Sequence, residues 1–297
     1  LALWENRTVD AGRASTTAIG TALMRAVHTR LDSPALIEDP WGDRLGFAGE
    51  REAVQARAGA PDLDAILRAH PSYGTVIMRA RYTEDRLADA VRAGVRQYVI
   101  VGAGMDSFAL RRPQFAHELE IFEVDHPSTQ ELKIERLAAY GIALPAGLHL
   151  VSADLSETRL DDALAGSPVR RERPSFFSWL GVTGYLTREA NLDTLTAIAS
   201  CAPAGSEVVF SYLDESLLES GNAEDPMQKA RAQVASLGEP WVSGFDPLRL
   251  QEQLQATGLE VIENLGPEEL GARYCAARSD GLHPSPGSHL ARAGVLA

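Results

Sequence analysis

Three short apolar runs in this chain each end on residues that could do chemistry. Tyr98-Val-Ile-Val101 stops at Gly102-Ala103-Gly104, Phe122-Glu-Val124 stops at Asp125, and Val151-Ser-Ala153 stops at Asp154. Glycine lacks a Cβ, so a backbone built from it can approach a ligand closely. A carboxylate can accept two hydroxyl hydrogen bonds in a charge-assisted pair. Asp125 lies 21 residues beyond Gly104, close to the ~20-residue separation expected of a ribose-binding acid. The pairing predicts an adenosine-containing cofactor. Asp154 could accept from an exocyclic amine such as adenine N6, or could simply be a turn residue. Asp106 could be a ligand or the cap of the helix that follows.

The kind of cofactor turns on two further positions. A nicotinamide or flavin fingerprint reads G-x-G-x-x-G, and the third glycine position here is Ser107. Upstream, Arg81 in Arg79-Ala80-Arg81-Tyr82 could pair bidentately with a carboxylate, which a methionine tail has and a dinucleotide lacks. It could instead bridge to Asp85 on its own helix. A nicotinamide oxidoreductase therefore stays open as an alternative to a methionine-derived cofactor.

These residues need a scaffold that lines up strand ends. From Val76 onward, strand-like and helix-like segments alternate. Strands are expected at Gln97–Val101, Leu119–Val124, Leu148–Ser152, Ser175–Trp179, Glu207–Leu213, Leu259–Leu265 and Arg273–Ala277. Helices are expected at Arg79–Ala93, Pro127–Ala139, Arg188–Cys201 and Pro247–Thr257. Such alternation means βαβ units and a mostly parallel sheet, with the last two strands able to pair as a hairpin across Gly266–Glu269. Residues 1–75 carry helical signals at Thr17–Thr29 and Ala53–Ala69, the latter broken by Gly59-Ala60-Pro61, and are read as a helical cap. Residues 76–278 are read as the cofactor-binding domain. Residues 279–297, rich in Gly, Pro, Ser and His, are read as a flexible tail.

Composition narrows the partners. The 297 residues carry 28 Lys+Arg against 41 Asp+Glu, a net charge of −13. That argues against a broad nucleic-acid footprint, which needs a basic face. With 45% apolar and 23% charged residues the chain is ordinary for a globular protein. Its two cysteines, Cys201 and Cys275, lie in no metal-binding spacing and are expected in the core. No metal is expected. No apolar run reaches the ~20 residues of a membrane span, no secretory signal is visible, and a cytoplasmic protein is expected.

Taken in order, Arg79-Ala-Arg-Tyr-Thr-Glu-Asp85, Val101-Gly-Ala-Gly-Met-Asp106, Phe122-Glu-Val-Asp-His-Pro127 with Lys133, Ala153-Asp-Leu155, Trp179-Leu-Gly-Val-Thr-Gly-Tyr-Leu-Thr187, Phe245-Asp-Pro247 and Gly271-Ala-Arg-Tyr274 resemble the leucine carboxyl methyltransferase-like family of S-adenosylmethionine-dependent O-methyltransferases. The likeness is greatest to its actinobacterial and polyketide O-methyltransferase branch and spans roughly residues 15–282. It implies an α/β class I methyltransferase fold: a seven-stranded Rossmann-like sheet in the order 3-2-1-4-5-7-6, strand 7 antiparallel, under an N-terminal helical cap. It implies S-adenosyl-L-methionine as cofactor. Arg81 would hold the methionine carboxylate, Gly102, Ala103 and Gly104 would pass beneath methionine and ribose, Asp125 would take the ribose hydroxyls, and Asp154 and Leu155 would face the adenine. The family's protein-carboxyl members place a glutamate where this chain has Leu180, which weakens the case for a protein C-terminus as substrate.

The expected activity is methyl transfer to a carboxylate or hydroxyl of a small molecule, in secondary metabolism. A carboxylate needs no base, whereas a hydroxyl benefits from one. His126 and Tyr185 lie near strand ends, but no catalytic base is assigned. Trp41, Trp179, Val182 and Tyr185 are expected on the substrate side. A binding protein that keeps the pocket without turnover is a further alternative. Nothing in the sequence sets the oligomeric state.

Overall fold

The computed structural model describes residues 16–47, 62–219, 226–236 and 240–296. Its strands are β1 (Gln97–Val101), β2 (Glu120–Asp125), β3 (Leu148–Ser152), β4 (Ser175–Trp179), β5 (Glu207–Leu213), β6 (Leu259–Leu265) and β7 (Ser288–Val295). They form one sheet in the order β3-β2-β1-β4-β5-β7-β6. The first five are parallel, and β7 runs antiparallel to both β5 and β6. This is the α/β, class I methyltransferase arrangement that the resemblance implied.

The helices are α1 (Thr16–Leu31), α2 (Gly42–Phe47), α3 (Leu63–Arg68), α4 (Tyr73–Arg92), α5 (Phe108–Arg111), α6 (Pro127–Ala139), α7 (Leu160–Ala165), α8 (Arg188–Cys201), α9 (Ser216–Glu219), α10 (Pro226–Ser236), α11 (Leu250–Gln255) and α12 (Pro267–Tyr274). Side chains alternate across a strand, and β1 divides accordingly. Tyr98 and Ile100 join the core beneath α1 and α4, while Val99 and Val101 join the core beneath α7, α8 and α11. Both faces are covered, so β1 and β4 are buried at every residue and read as unbroken apolar runs.

Register places the site. Val101 of β1 lies opposite Val124 of β2 and Trp179 of β4. The loops that follow these strands therefore open at one level, on the carboxyl edge where ligands of such sheets bind.

The last strand corrects two expectations. Arg273–Ala277 is not a strand: Pro267–Tyr274 is helix α12, begun by Pro267 and by Glu269, whose carboxylate accepts from the Gly266 N–H at 2.9 Å. Residues 288–295, inside the segment read as a flexible tail, likewise form a strand. Ser288–Val295 is inserted between β5 and β6, and the segment before it is tied to the cap side. Arg278 donates to the Pro34 carbonyl at 2.6 Å and Ser285 Oγ to the Pro71 carbonyl at 2.6 Å. A Cβ on Gly74 would overlap the His283 carbonyl. Pairing on both edges overrides the weak strand propensity of Ala and Gly in this segment.

Helices α1 to α3 fall within residues 1–75, the region read as a helical cap. Of the helix expected over Ala53–Ala69, residues 53–61 and the Gly59–Pro61 break lie outside the described residues. The C-terminal helix expected at Pro247–Thr257 is shorter, Leu250–Gln255. Cys201 is buried as expected, and Cys275 is only half-buried.

Candidate active site

The glycine loop forms the floor of a cavity of about 480 Å³ between cap and sheet. Gly102 and Gly104 have φ of +67° and +53°, a region L side chains rarely adopt. A Cβ on Gly102 would lie 2.5 Å from a Val182 methyl, and one on Gly104 would lie 2.8 Å from the Ala18 Cβ. Both positions demand glycine on conformation and on space. The Gly104 N–H donates to Asp125 Oδ2 at 2.5 Å and the His126 N–H to Oδ1 at 2.7 Å. Burial raises the Asp125 carboxyl, opposed by these two N–H donors. Gly102, Ala103, Gly104 and Asp125 all line the cavity.

Arg81, expected to hold the methionine carboxylate, does not line this cavity. Arg81 points away from the cavity: its side chain is 45% exposed and bridges to Asp85 at 2.9 Å, with Nη1 on the Leu36 carbonyl at 3.0 Å. Arg79 lines the cavity instead. Its guanidinium lies where a Cβ on Gly181 would come within 2.6 Å. Burial, with the nearby Arg25 adding and Tyr185 opposing, lowers its pKa to about 10. The helix period explains the swap. Arg79 shares the buried face of α4 with Tyr82 and Thr83, three and four residues on, whereas Arg81 is turned out by its position next to Tyr82.

Asp154 and Leu155 stand outside the cavity. Asp154 Oδ1 accepts from the Ser156 N–H at 2.9 Å and Oγ at 2.6 Å, which lowers its pKa. This is a turn residue's bonding. Leu155 packs at the edge of the core under α8. His126 caps α6 through Ser128 and lies 3.7 Å from Asp154, also outside the cavity.

Of the expected substrate-side residues, Val182 and Tyr185 line the cavity and Trp41 and Trp179 do not. Trp179 is a fully buried core residue of β4, because strand alternation turns it away from the cap. Trp41 packs beside Ala22, Leu45 and Met105, with the Arg44 guanidinium 4.8 Å above its ring.

Other residues form the upper walls. Leu63, Leu67 and His70 come from the cap, and Leu213, Val234 and Trp241 from the chain after β4. Trp241 is held where the Val242 N–H donates to the Gly184 carbonyl at 2.7 Å, and a Cβ on Gly184 would lie 3.3 Å from its ring. His70 Nδ1 accepts from the Ser72 N–H at 3.1 Å, and burial lowers its pKa. Leu180 lines the cavity too, so an apolar side chain stands beside the floor. Of the residues missed by sequence reasoning, Arg79 had a signal in helical periodicity. His70 and Trp241 had none, being single residues in irregular segments.

The floor fits the expected S-adenosyl-L-methionine: glycines that no Cβ can replace, an acid at the end of β2, and a half-buried guanidinium, that of Arg79, facing the cavity. Among the described residues, no group of three or more His, Cys, Asp or Glu residues is placed to hold a metal, and no helix is long and apolar enough to cross a membrane.

Comparison with known proteins gives the same direction. The chain is 32% identical over 288 residues to YktD of Bacillus subtilis, named as an S-adenosyl-L-methionine-dependent methyltransferase, covering 91% of this chain and 94% of that one. It is 31% identical over 264 residues to a protein so named from Mycobacterium sp. strain KMS, covering 83% and 80%. A solved structure from Thermobifida fusca, described as a methyltransferase, superposes with a TM-score of 0.60 at 16% identity and 97% coverage of both chains. A DUF574 family protein from Streptomyces avermitilis superposes at 0.57, with 15% identity over 93% of this chain and 97% of that one; these two show the shared fold. The leucine carboxyl methyltransferase family model matches residues 18–199, and the chain belongs to that family.

Proposed function

We propose that this chain transfers the methyl group of S-adenosyl-L-methionine to a carboxylate oxygen of a small, largely apolar molecule. Arg79 would hold the cofactor's carboxylate, Gly102 to Gly104 would pass beneath its methionine and ribose, and Asp125 would take the ribose hydroxyls. Asp154 and Leu155 would flank the adenine from the end of β3, beyond the cavity. When bound, the cofactor supplies a strongly electrophilic sulfonium methyl. The protein's task is then to align an acceptor oxygen with it and to exclude water.

One observation favours a carboxylate over a hydroxyl: among the described residues, the acids and the imidazole that line the cavity each already accept from a backbone N–H. Among the described residues its lining acids are Asp106 and Asp125. Both are engaged on the glycine loop, Asp106 Oδ1 accepting from the Phe108 N–H at 2.7 Å. The Ser72 N–H occupies His70 Nδ1, so a neutral ring carries its proton on Nε2 and presents a donor. A hydroxyl acceptor would have to surrender a proton here, whereas a carboxylate arrives ionised. The apolar walls of Leu63, Leu67, Leu180 and Trp241 suit an apolar body behind that carboxylate. A place in secondary metabolism and a cytoplasmic setting accompany this reading through the resemblance to polyketide O-methyltransferases.

The reading is tested with cofactor carrying a labelled methyl group and a panel of apolar carboxylic acids and phenols. Label released as methanol by mild alkali marks an ester and is expected. Alkali-stable label overturns the carboxylate assignment. Tight cofactor binding with no transfer to any acceptor favours a binding protein, and binding of NAD alone overturns the whole reading.

A further inference from the structure

Two guanidinium groups line the cavity, Arg79 from α4 and Arg25 from α1, and they differ in how their charge is met. Arg25 Nη2 donates to the Met105 carbonyl of the glycine loop at 2.8 Å, and its Nε donates to Asp39 Oδ2 at 2.8 Å. Asp39 is wholly buried behind it. The same Oδ2 accepts from Ser107 Oγ at 2.6 Å, and Oδ1 accepts from the Trp41 N–H at 3.0 Å. Alongside, Arg111 donates to Ser107 Oγ at 3.1 Å and is paired with Glu84. Burial works to raise the Asp39 carboxyl, but Arg25, Arg111 and Ser107 together hold it below its usual value. Charge is thus cancelled pairwise, Arg25 with Asp39 and Arg111 with Glu84, and Arg79 is left to meet an anion.

We propose that Asp39 is a positioning residue that acts through Arg25 to keep the cavity floor from repelling the cationic, sulfonium form of the cofactor. This rests on the reading of S-adenosyl-L-methionine as the cofactor. The methyl donor carries one more positive charge than its product, S-adenosylhomocysteine. An uncompensated guanidinium on the floor would therefore penalise the donor and spare the product. A unit charge about 10 Å away, at an effective dielectric of ~20, changes binding on the order of tenfold. Ser107 takes part because its hydroxyl completes the carboxylate's bonding, a role glycine at that position could not fill.

If Asp39 served only to anchor the cap to the loop, its loss would weaken both ligands alike, so the ratio of the two affinities separates the readings. Isothermal titration with S-adenosyl-L-methionine and with S-adenosylhomocysteine supplies that ratio for the wild-type chain, for Asp39→Asn and for the charge-balanced double variant Arg25→Gln/Asp39→Asn. Asp39→Asn is expected to weaken the donor on the order of tenfold more than the product, and the double variant to restore the wild-type ratio to within about twofold. Equal weakening of both ligands overturns the proposal. Should Asp39→Asn fail to fold, Arg25→Gln is expected to move the ratio the other way, toward the donor, and an unchanged ratio overturns it. A wild-type chain that binds neither ligand overturns the cofactor reading and this proposal with it, whereas one that binds both leaves the ratio as the test of Asp39 alone.

Discussion

The floor of the cavity is made by consecutive strand ends, and its upper walls by segments scattered along the chain. Gly102 and Gly104 lie in the loop after β1 and Asp125 ends β2, and β1–β2 register brings them together. Backbone does most of the work there, so few other residue types are tolerated. The walls instead collect His70 from the cap, Tyr185 after β4, and Leu213, Trp241 and Ser288 from beyond residue 199. The family model stops at that residue. The floor, with His70 and Tyr185, lies inside the matched span, and Leu213, Trp241 and Ser288 lie beyond it.

The comparison can be broken or sharpened by experiment. Gly102→Val attacks the floor where φ is positive and a methyl of Val182 crowds the site. It should reduce S-adenosylhomocysteine affinity by more than about 100-fold, measured by titration calorimetry. Arg79→Met should cost about 10- to 100-fold in the same assay, the worth of a charged hydrogen bond. Arg81→Met should stay within about twofold, and a larger loss there would restore the original assignment. Trp241→Ala attacks the wall: cofactor affinity should hold within about twofold, while kcat/KM for an acceptor found in the labelled-methyl assay falls about tenfold. Equal damage to both would show that floor and wall are not separable.

The smallest effect concerns pH. His28, His70 and His289 are all lowered from 6.5 by burial. The unfolded chain then binds more protons than the native one as pH falls through 6.5, so their contribution to stability is present above that value and lost below it. Tm should drop by a few degrees between pH 7 and pH 6. A Tm that rises over this interval would contradict the sign.

Six of the seven strands could be read from the sequence: the five parallel ones are short apolar runs bounded by turn residues, and β6 alternates apolar with polar residues as an antiparallel edge strand does. The seventh could not. Ser288-His-Leu-Ala-Arg-Ala-Gly-Val295 has the composition of a loop, and only its place between β5 and β6 makes it a strand. Helix α12 did carry a signal, proline at its first position and Glu269 in its first turn, which a reading of Gly266–Glu269 as a hairpin turn overlooked. Arg79 and Arg81 show the same limit at the site. Motif order brings both forward, and the phase of α4 decides between them.

By itself, then, the sequence determined the strand-loop units, the glycines that must carry no Cβ, and the acid 21 residues beyond Gly104. All are local, set by backbone conformation and by short-range apolar pattern. The tertiary structure decided which arginine faces the cavity, that Trp41 and Trp179 pack away from it, and that Asp39 meets Arg25 across 14 residues and Ser107 across 68. Those outcomes depend on how separate elements pack together, and packing of that kind leaves no periodic trace in the chain.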